Sequence, residues 1–210
     1  MQEFIALAGI IGALAVGVVS PGPSFVLVAR VAVSTSRANG LAAAVGMGLG
    51  GVAFASAALL GLQAVLLAVP ALYVVLKVLG GMYLAYLGYR IFRGARQPLD
   101  ADTSGPGQRT SVSRSFWLGL TTQVSNPKTA IVYASVFAAF LPGTFSLPFA
   151  VTLLCVIFVI ESGWYAIVAV LLSSLQSRRA YLSYKAWVDR TAGMVMMGLG
   201  LKLITSAHQS

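Results

Sequence analysis

Charge is scarce in this chain, and acidic charge most of all. Five aspartates and glutamates are spread over 210 residues, and charged residues of either sign make up 9%, against about 25% in an ordinary soluble domain. The single cysteine, Cys155, excludes an intrachain disulfide and any cysteine-based metal cage. The single histidine, His208, stands at the end of the sequence, so zinc chemistry of the usual His/Cys kind is excluded as well. No H-E-x-x-H, no G-x-S-x-G and no phosphate-cradling glycine loop occurs. An enzyme is therefore not expected, and neither is a metal or other cofactor. The opening Met1-Gln2-Glu3 lacks the basic n-region of a signal peptide, so the first apolar run is expected to stay in the membrane. No ten-residue alternation of apolar and polar residues appears, which argues against a transmembrane β-barrel.

What is abundant is apolar. Hydrophobic residues make up 58% of the chain, and the mean hydropathy is +0.87. Six apolar segments stand out, at about 4–28, 41–69, 71–92, 116–141, 145–172 and 186–204. Each approaches or exceeds the roughly 20 residues that carry a helix across a bilayer. A polar loop with glycine and proline, 93–113, separates the third from the fourth. The expected architecture is an all-α integral membrane protein, a single polytopic domain over residues 1–210 with six transmembrane helices.

The basic residues orient it. The first connection has Arg30 and Arg37, the third Arg90, Arg93, Arg96, Arg109 and Arg114, and the fifth Arg178, Arg179, Lys185 and Arg190. The second and fourth connections have none. The positive-inside rule puts the odd connections in the cytoplasm, and both termini then face outward. The net charge of +9 is thus an orientation signal that also suits anionic membrane lipids. Nucleic acid is not an expected partner.

Two short motifs interrupt the apolar runs. Ser125-Asn126-Pro127-Lys128 lies in the middle of segment four, and Ser20-Pro21-Gly22-Pro23 lies in segment one. Proline lacks a backbone donor and crowds the preceding turn. Non-helical backbone at membrane depth is tolerated only where protein or a water-filled cavity surrounds it. A cation near the bilayer centre, here Lys128, costs roughly 2.5–3.5 kcal/mol on insertion scales. Both motifs begin with serine, are broken by proline, and fall in the first helix of a three-helix half. Segment one enters from outside and segment four from inside, which is the 3+3 inverted-repeat pattern of many secondary transporters.

Other candidates follow from spacing. Thr122, Ser125, Asn126, Thr129 and Tyr133 would form one polar stripe on a continuous helix, facing either a cavity or a neighbouring helix. Glu161 is the acid deep within a predicted span, with Tyr165 one turn on. It is a candidate for proton coupling, or else half of a static ion pair with Lys77 or Lys128. Lys77 could equally extend its stem to the interface, as could Lys202. Gly46, Gly48, Gly50 and Gly51 in segment two suit close helix packing.

With these residues in place, the chain resembles the LysE/RhtB family of bacterial amino-acid exporters. The resemblance rests on Ser20-Pro21-Gly22-Pro23, the glycines from Gly46 to Gly51, the run Lys77-Val78-Leu79-Gly80-Gly81-Met82-Tyr83-Leu84-Ala85-Tyr86-Leu87-Gly88, Phe116 to Gly119 with Asn126-Pro127-Lys128, and Glu161 to Tyr165. It covers nearly the whole chain. It implies export of an amino acid or a small derivative across the bacterial inner membrane, driven by the proton motive force. It also implies that Pro21, Gly22, Pro23, Asn126, Pro127 and Lys128 line the pathway, to which the polar stripe adds Thr122 and Ser125 as candidates. The lack of an intramembrane acidic cluster disfavours a dibasic cargo and favours a zwitterion, its ammonium at Glu161 and its carboxylate at Lys128. Assembly into a homo-oligomer stays open. The alternative is an exporter of a metal or other inorganic cation, against which the paucity of cysteine, histidine and buried acid argues.

Overall fold

The computed structural model describes residues 1–20, 22–68, 70–95, 111–173 and 175–207; within these, the side chains of 62–68, 70–73, 76, 77, 175–182, 188, 206 and 207 are not described. Pro21, His208 and most of the loop 93–113 therefore lie outside the described residues, as does the side chain of Lys77. Among the described residues eight α-helices follow one another: α1 (Gln2–Val19), α2 (Pro23–Ser34), α3 (Arg37–Ala68), α4 (Pro70–Gly94), α5 (Val112–Val124), α6 (Pro127–Phe140), α7 (Leu147–Leu172) and α8 (Leu175–Ala207). Among the described residues there is no strand.

Six expected segments become eight helices because two are cut at their proline motifs. Segment one divides into α1 and α2 around Ser20 and Gly22, and segment four into α5 and α6 at Ser125 and Asn126. Each restarted helix carries a proline in its first turn, Pro23 or Pro127, where the missing donor costs nothing. The sixth segment departs most from expectation. Its helix, α8, has 33 residues and is about 50 Å long at 1.5 Å per residue. That exceeds the roughly 30 Å of a bilayer core, so a charged stretch expected in a loop is helical.

The outer faces are apolar. Leu60, Leu147, Phe4 and Trp187 are each more than 70% exposed, an arrangement that suits lipid and not water. Helix α1, residues 37–61 of α3, and α7 are each long and apolar enough to cross a membrane. Helices α2 and α6 are shorter, at 12 and 14 residues, and reach such a length only together with α1 and α5.

Glycine lets the helices come together. Helix α3 lies between α5 and α7. A Cβ on Gly46 would strike the backbone of Phe116, and one on Gly119 that of Ala43. On the other side, Gly48 receives Ser162, and Gly51 receives Tyr133 and Glu161. Helices α4 and α8 meet antiparallel, Gly81 against Gly200 and Gly88 against Gly193. No described glycine has positive φ, so these are packing glycines, as small-residue helix contacts in membranes require. Two apolar clusters result. One centres on Ile10, Leu84, Phe137 and Leu153, the other on Phe25, Val28, Met47 and Ala169.

Candidate functional site

The two helix breaks face one another across a polar cavity where the apolar clusters meet. Leu14, Val132 and Tyr133 from one cluster and Val18, Phe25 and Tyr165 from the other complete its wall. The cavity has about 30 Å³ open to water. A single water needs about 10–15 Å³ by this measure, so one or two fit and an amino acid does not without movement.

The first break exposes the end of α1. Ser20, its C-cap, is extended at φ −67°, ψ 123°, and Gly22, the N-cap of α2, is extended at φ −166°, ψ −171°. The last carbonyls of a helix have no partner within it, and they carry the negative end of the helix dipole. Lys128 fills that role from the other motif. Its Nζ donates to the Ser20 carbonyl at 2.9 Å and to the Gly17 carbonyl at 3.4 Å. The Ser20 hydroxyl is buried on the cavity wall and has no hydrogen-bond partner among the described residues.

The second break is held by Asn126. Its Oδ1 accepts from the backbone N–H of Lys128 at 3.0 Å and caps α6. Its Nδ2 donates to Ser24 Oγ at 3.0 Å. Ser24 donates to Gln123 Oε1 at 2.6 Å, and Gln123 Nε2 donates to Glu161 Oε2 at 3.1 Å. Tyr133 donates to Glu161 Oε1 at 2.8 Å. A continuous chain of hydrogen bonds thus joins α6, α2, α5 and α7, and all its side chains are buried. Glu161 is satisfied by neutral donors. Lys128 shares its cavity but makes no ion pair with it.

The geometry sorts the residues picked from the sequence. Gly22, Asn126, Lys128, Glu161 and Tyr165 line the cavity. Pro23 and Pro127 are exposed and shape the breaks from behind. Ser125 is exposed and Thr122 half-buried, and neither lines the cavity. The stripe assumed one helix through segment four, and the break resets the helical phase. The inward face of α5 is instead Ser115, Gly119 and Gln123. Reading the sequence missed Ser24 and Gln123; their signal was a polar side chain within a turn of a proline break. It also missed Asp189. Glu161 is not the one deeply buried acid: Asp189, 4% exposed, pairs at 2.7 Å with the buried Lys185, which had been placed in a connection. Cys155 is exposed on α7. No group of three or more metal-ligating side chains occurs among the described residues.

The model of one family, the LysE type translocators, matches residues 15–207, which includes both breaks and Glu161. The chain belongs to the LysE type translocator family. It is 35% identical to a threonine efflux protein of Salmonella typhimurium over 192 residues, 91% of this chain and 93% of the relative. Against a threonine efflux protein of Escherichia coli K12 the identity is 34% over the same shares. No solved structure matches. LysE-type translocators are transporters, so this is a multi-pass membrane transporter and not an enzyme.

Proposed function

We propose that this translocator exports a small zwitterionic amino acid, threonine or a close analogue, across the bacterial inner membrane in exchange for protons. The observation that carries the reading is the convergence of Lys128, Asn126 and Glu161 on one buried cavity at two helix breaks. The substrate's carboxylate would meet Lys128, the unpartnered Ser20 hydroxyl and the positive N-terminal end of α2. Its ammonium would meet Glu161. The efflux proteins similar to this chain support threonine as the first candidate. A divalent cation is a poorer fit, since the cavity offers one carboxylate beside a fixed ammonium.

The proposed topology is six spans in a 3+3 inverted repeat with basic connections inside and both termini outside. Supporting it, both first segments break and restart with proline, and α4 and α8 pack antiparallel as corresponding helices. The small cavity corresponds to an occluded state, and rocking of the two halves would open it to either side. Proton binding at Glu161 would drive the cycle.

The test is release of labelled amino acids from proteoliposomes, with and without an imposed pH gradient. Gradient-dependent release of threonine, lost in Glu161→Gln, is expected. Release that ignores the gradient would remove the proton from the mechanism, and no release of any amino acid would remove the cargo class.

A further inference from the structure

We infer that Gln123 is a positioning residue that converts the charge of Glu161 into the hydrogen-bond polarity of Ser24. The inference rests on the proposed role of Glu161 and adds a route from it to the helix breaks. In the structure every donor points one way. Asn126 Nδ2 donates to Ser24, Ser24 donates to Gln123 Oε1, and Gln123 Nε2 donates to the carboxylate. Tyr133 donates to the other carboxylate oxygen. An ionised carboxylate accepts only, so this polarity suits it.

A proton taken up by Glu161 turns one acceptor into a donor. On Oε2, the new O–H faces Gln123 Nε2, which has no lone pair to accept it. On Oε1, it would face Tyr133, whose hydrogen bond in the structure is to Glu161 alone. Accepting there would leave the tyrosine O–H without an acceptor in a buried site, at a cost of about 1–3 kcal/mol. Rotation of the Gln123 amide by half a turn resolves the first conflict. Oε1 then accepts from Glu161, and Nε2 donates to Ser24.

Ser24 now receives hydrogen bonds from both Gln123 and Asn126. Its own proton loses Gln123 as acceptor and turns to Tyr165, its other hydrogen-bonding neighbour on the cavity wall. No covalent bond breaks; one proton is gained at Glu161 and one hydroxyl donor is redirected at the N-terminal end of α2. In that state Glu161 is neutral and holds no ammonium, so the redirected Ser24 donor carries the protonated, substrate-free half of the exchange to the start of α2. The titratable groups facing this path are Lys128 and Tyr133 from α6 and Tyr165 from α7; Asp189 of α8 acts on Lys128 without lining the cavity, and among the described residues α1, α2, α3 and α5 bring none to it. Gln123 packs its Cβ and Cγ on Gly50 of α3, so its stem is fixed while its amide can turn.

The experiment is pH-difference infrared spectroscopy of the purified protein in liposomes, with threonine release measured alongside in the presence and absence of a pH gradient. In the wild type a protonated-carboxyl band should rise together with a shift of a glutamine side-chain amide band. Glu161→Gln should remove both. Gln123→Met should keep the carboxyl band and remove the amide shift, with stimulation of release by a pH gradient reduced at least tenfold. Ser24→Ala, a smaller change that also removes the redirected donor, should lose gradient stimulation in the same way and covers a failure of Gln123→Met to insert. A wild-type carboxyl band without the amide shift would overturn the relay and leave Glu161 as the proton site. A carboxyl band that persists in Glu161→Gln would overturn the proposed proton site itself.

Discussion

Gly51 offers the sharpest mechanical test of the site, because it lies behind the carboxylate and takes no part in its hydrogen bonds. A Cβ at this position would sit 2.8 Å from Tyr133 Oη, 3.0 Å from Glu161 Cγ and 3.3 Å from Glu161 Cδ. Non-bonded carbon atoms are most stable about 3.5–4.0 Å apart, so Gly51→Ala must push Glu161 and Tyr133 away by roughly half an ångström or more. The bonds at risk are Tyr133 to Oε1 at 2.8 Å and Gln123 to Oε2 at 3.1 Å. A hydrogen bond to a charged group contributes about 1.5–3 kcal/mol, and overpacking itself costs about 1–3 kcal/mol. At about 1.4 kcal/mol per factor of ten, loss of one such bond predicts gradient-driven efflux lowered about ten- to hundredfold. The control is Gly163→Ala on the helix of Glu161, where a Cβ meets nothing within 4 Å and efflux should be unchanged. Both proteins are reconstituted at equal density and assayed with labelled threonine. Wild-type gradient-driven efflux in a membrane-inserted Gly51→Ala protein would refute the placement of Glu161 and Tyr133 against α3.

Further substitutions test two parts of the cavity and the buried ion pair of α8. Lys128→Met strips the donor from the Ser20 and Gly17 carbonyls and should abolish export while the protein still reaches the membrane, as quantified by efflux against immunodetection in membrane fractions; normal export would remove Lys128 from the pathway. Asn126→Ala removes the cap of α6 and the bond to Ser24; a cap contributes about 0.5–2 kcal/mol, so the melting temperature in detergent should fall, and an unchanged melting temperature would contradict the cap. Lys185→Met leaves the buried Asp189 carboxylate without its partner, a change that costs about 3–5 kcal/mol. Adding Asp189→Leu should recover most of that loss in the same melting assay, and a double substitution no better than the single one would contradict the pairing.

The helix breaks were legible in the sequence because their cause is local. A proline removes a donor wherever it stands, so an interruption at Pro23 and at Pro127 could be expected before any packing was known, though not that each would begin a new helix. The glycines of segment two were legible for a similar reason, since a missing side chain has few uses in a membrane helix beyond close approach. The lining of the cavity was less so. A stripe drawn through Thr122 and Ser125 carries one helical phase across a point where the chain loses it, and the reset brings Gln123 inward instead. Pairing was hidden too. Lys128 and Glu161 read as natural partners because they are opposite charges in an apolar chain. In the structure each already has another solution, the lysine on the carbonyl end of α1 and the glutamate on Gln123 and Tyr133. Only the three-dimensional path of the backbone shows that the first break supplies the free carbonyls the lysine needs. On the proposed reading, that separation is also what suits the cavity to transport. A direct ion pair would neutralise both groups, whereas an ammonium and a carboxylate held apart on one cavity wall leave a place for each end of a zwitterion.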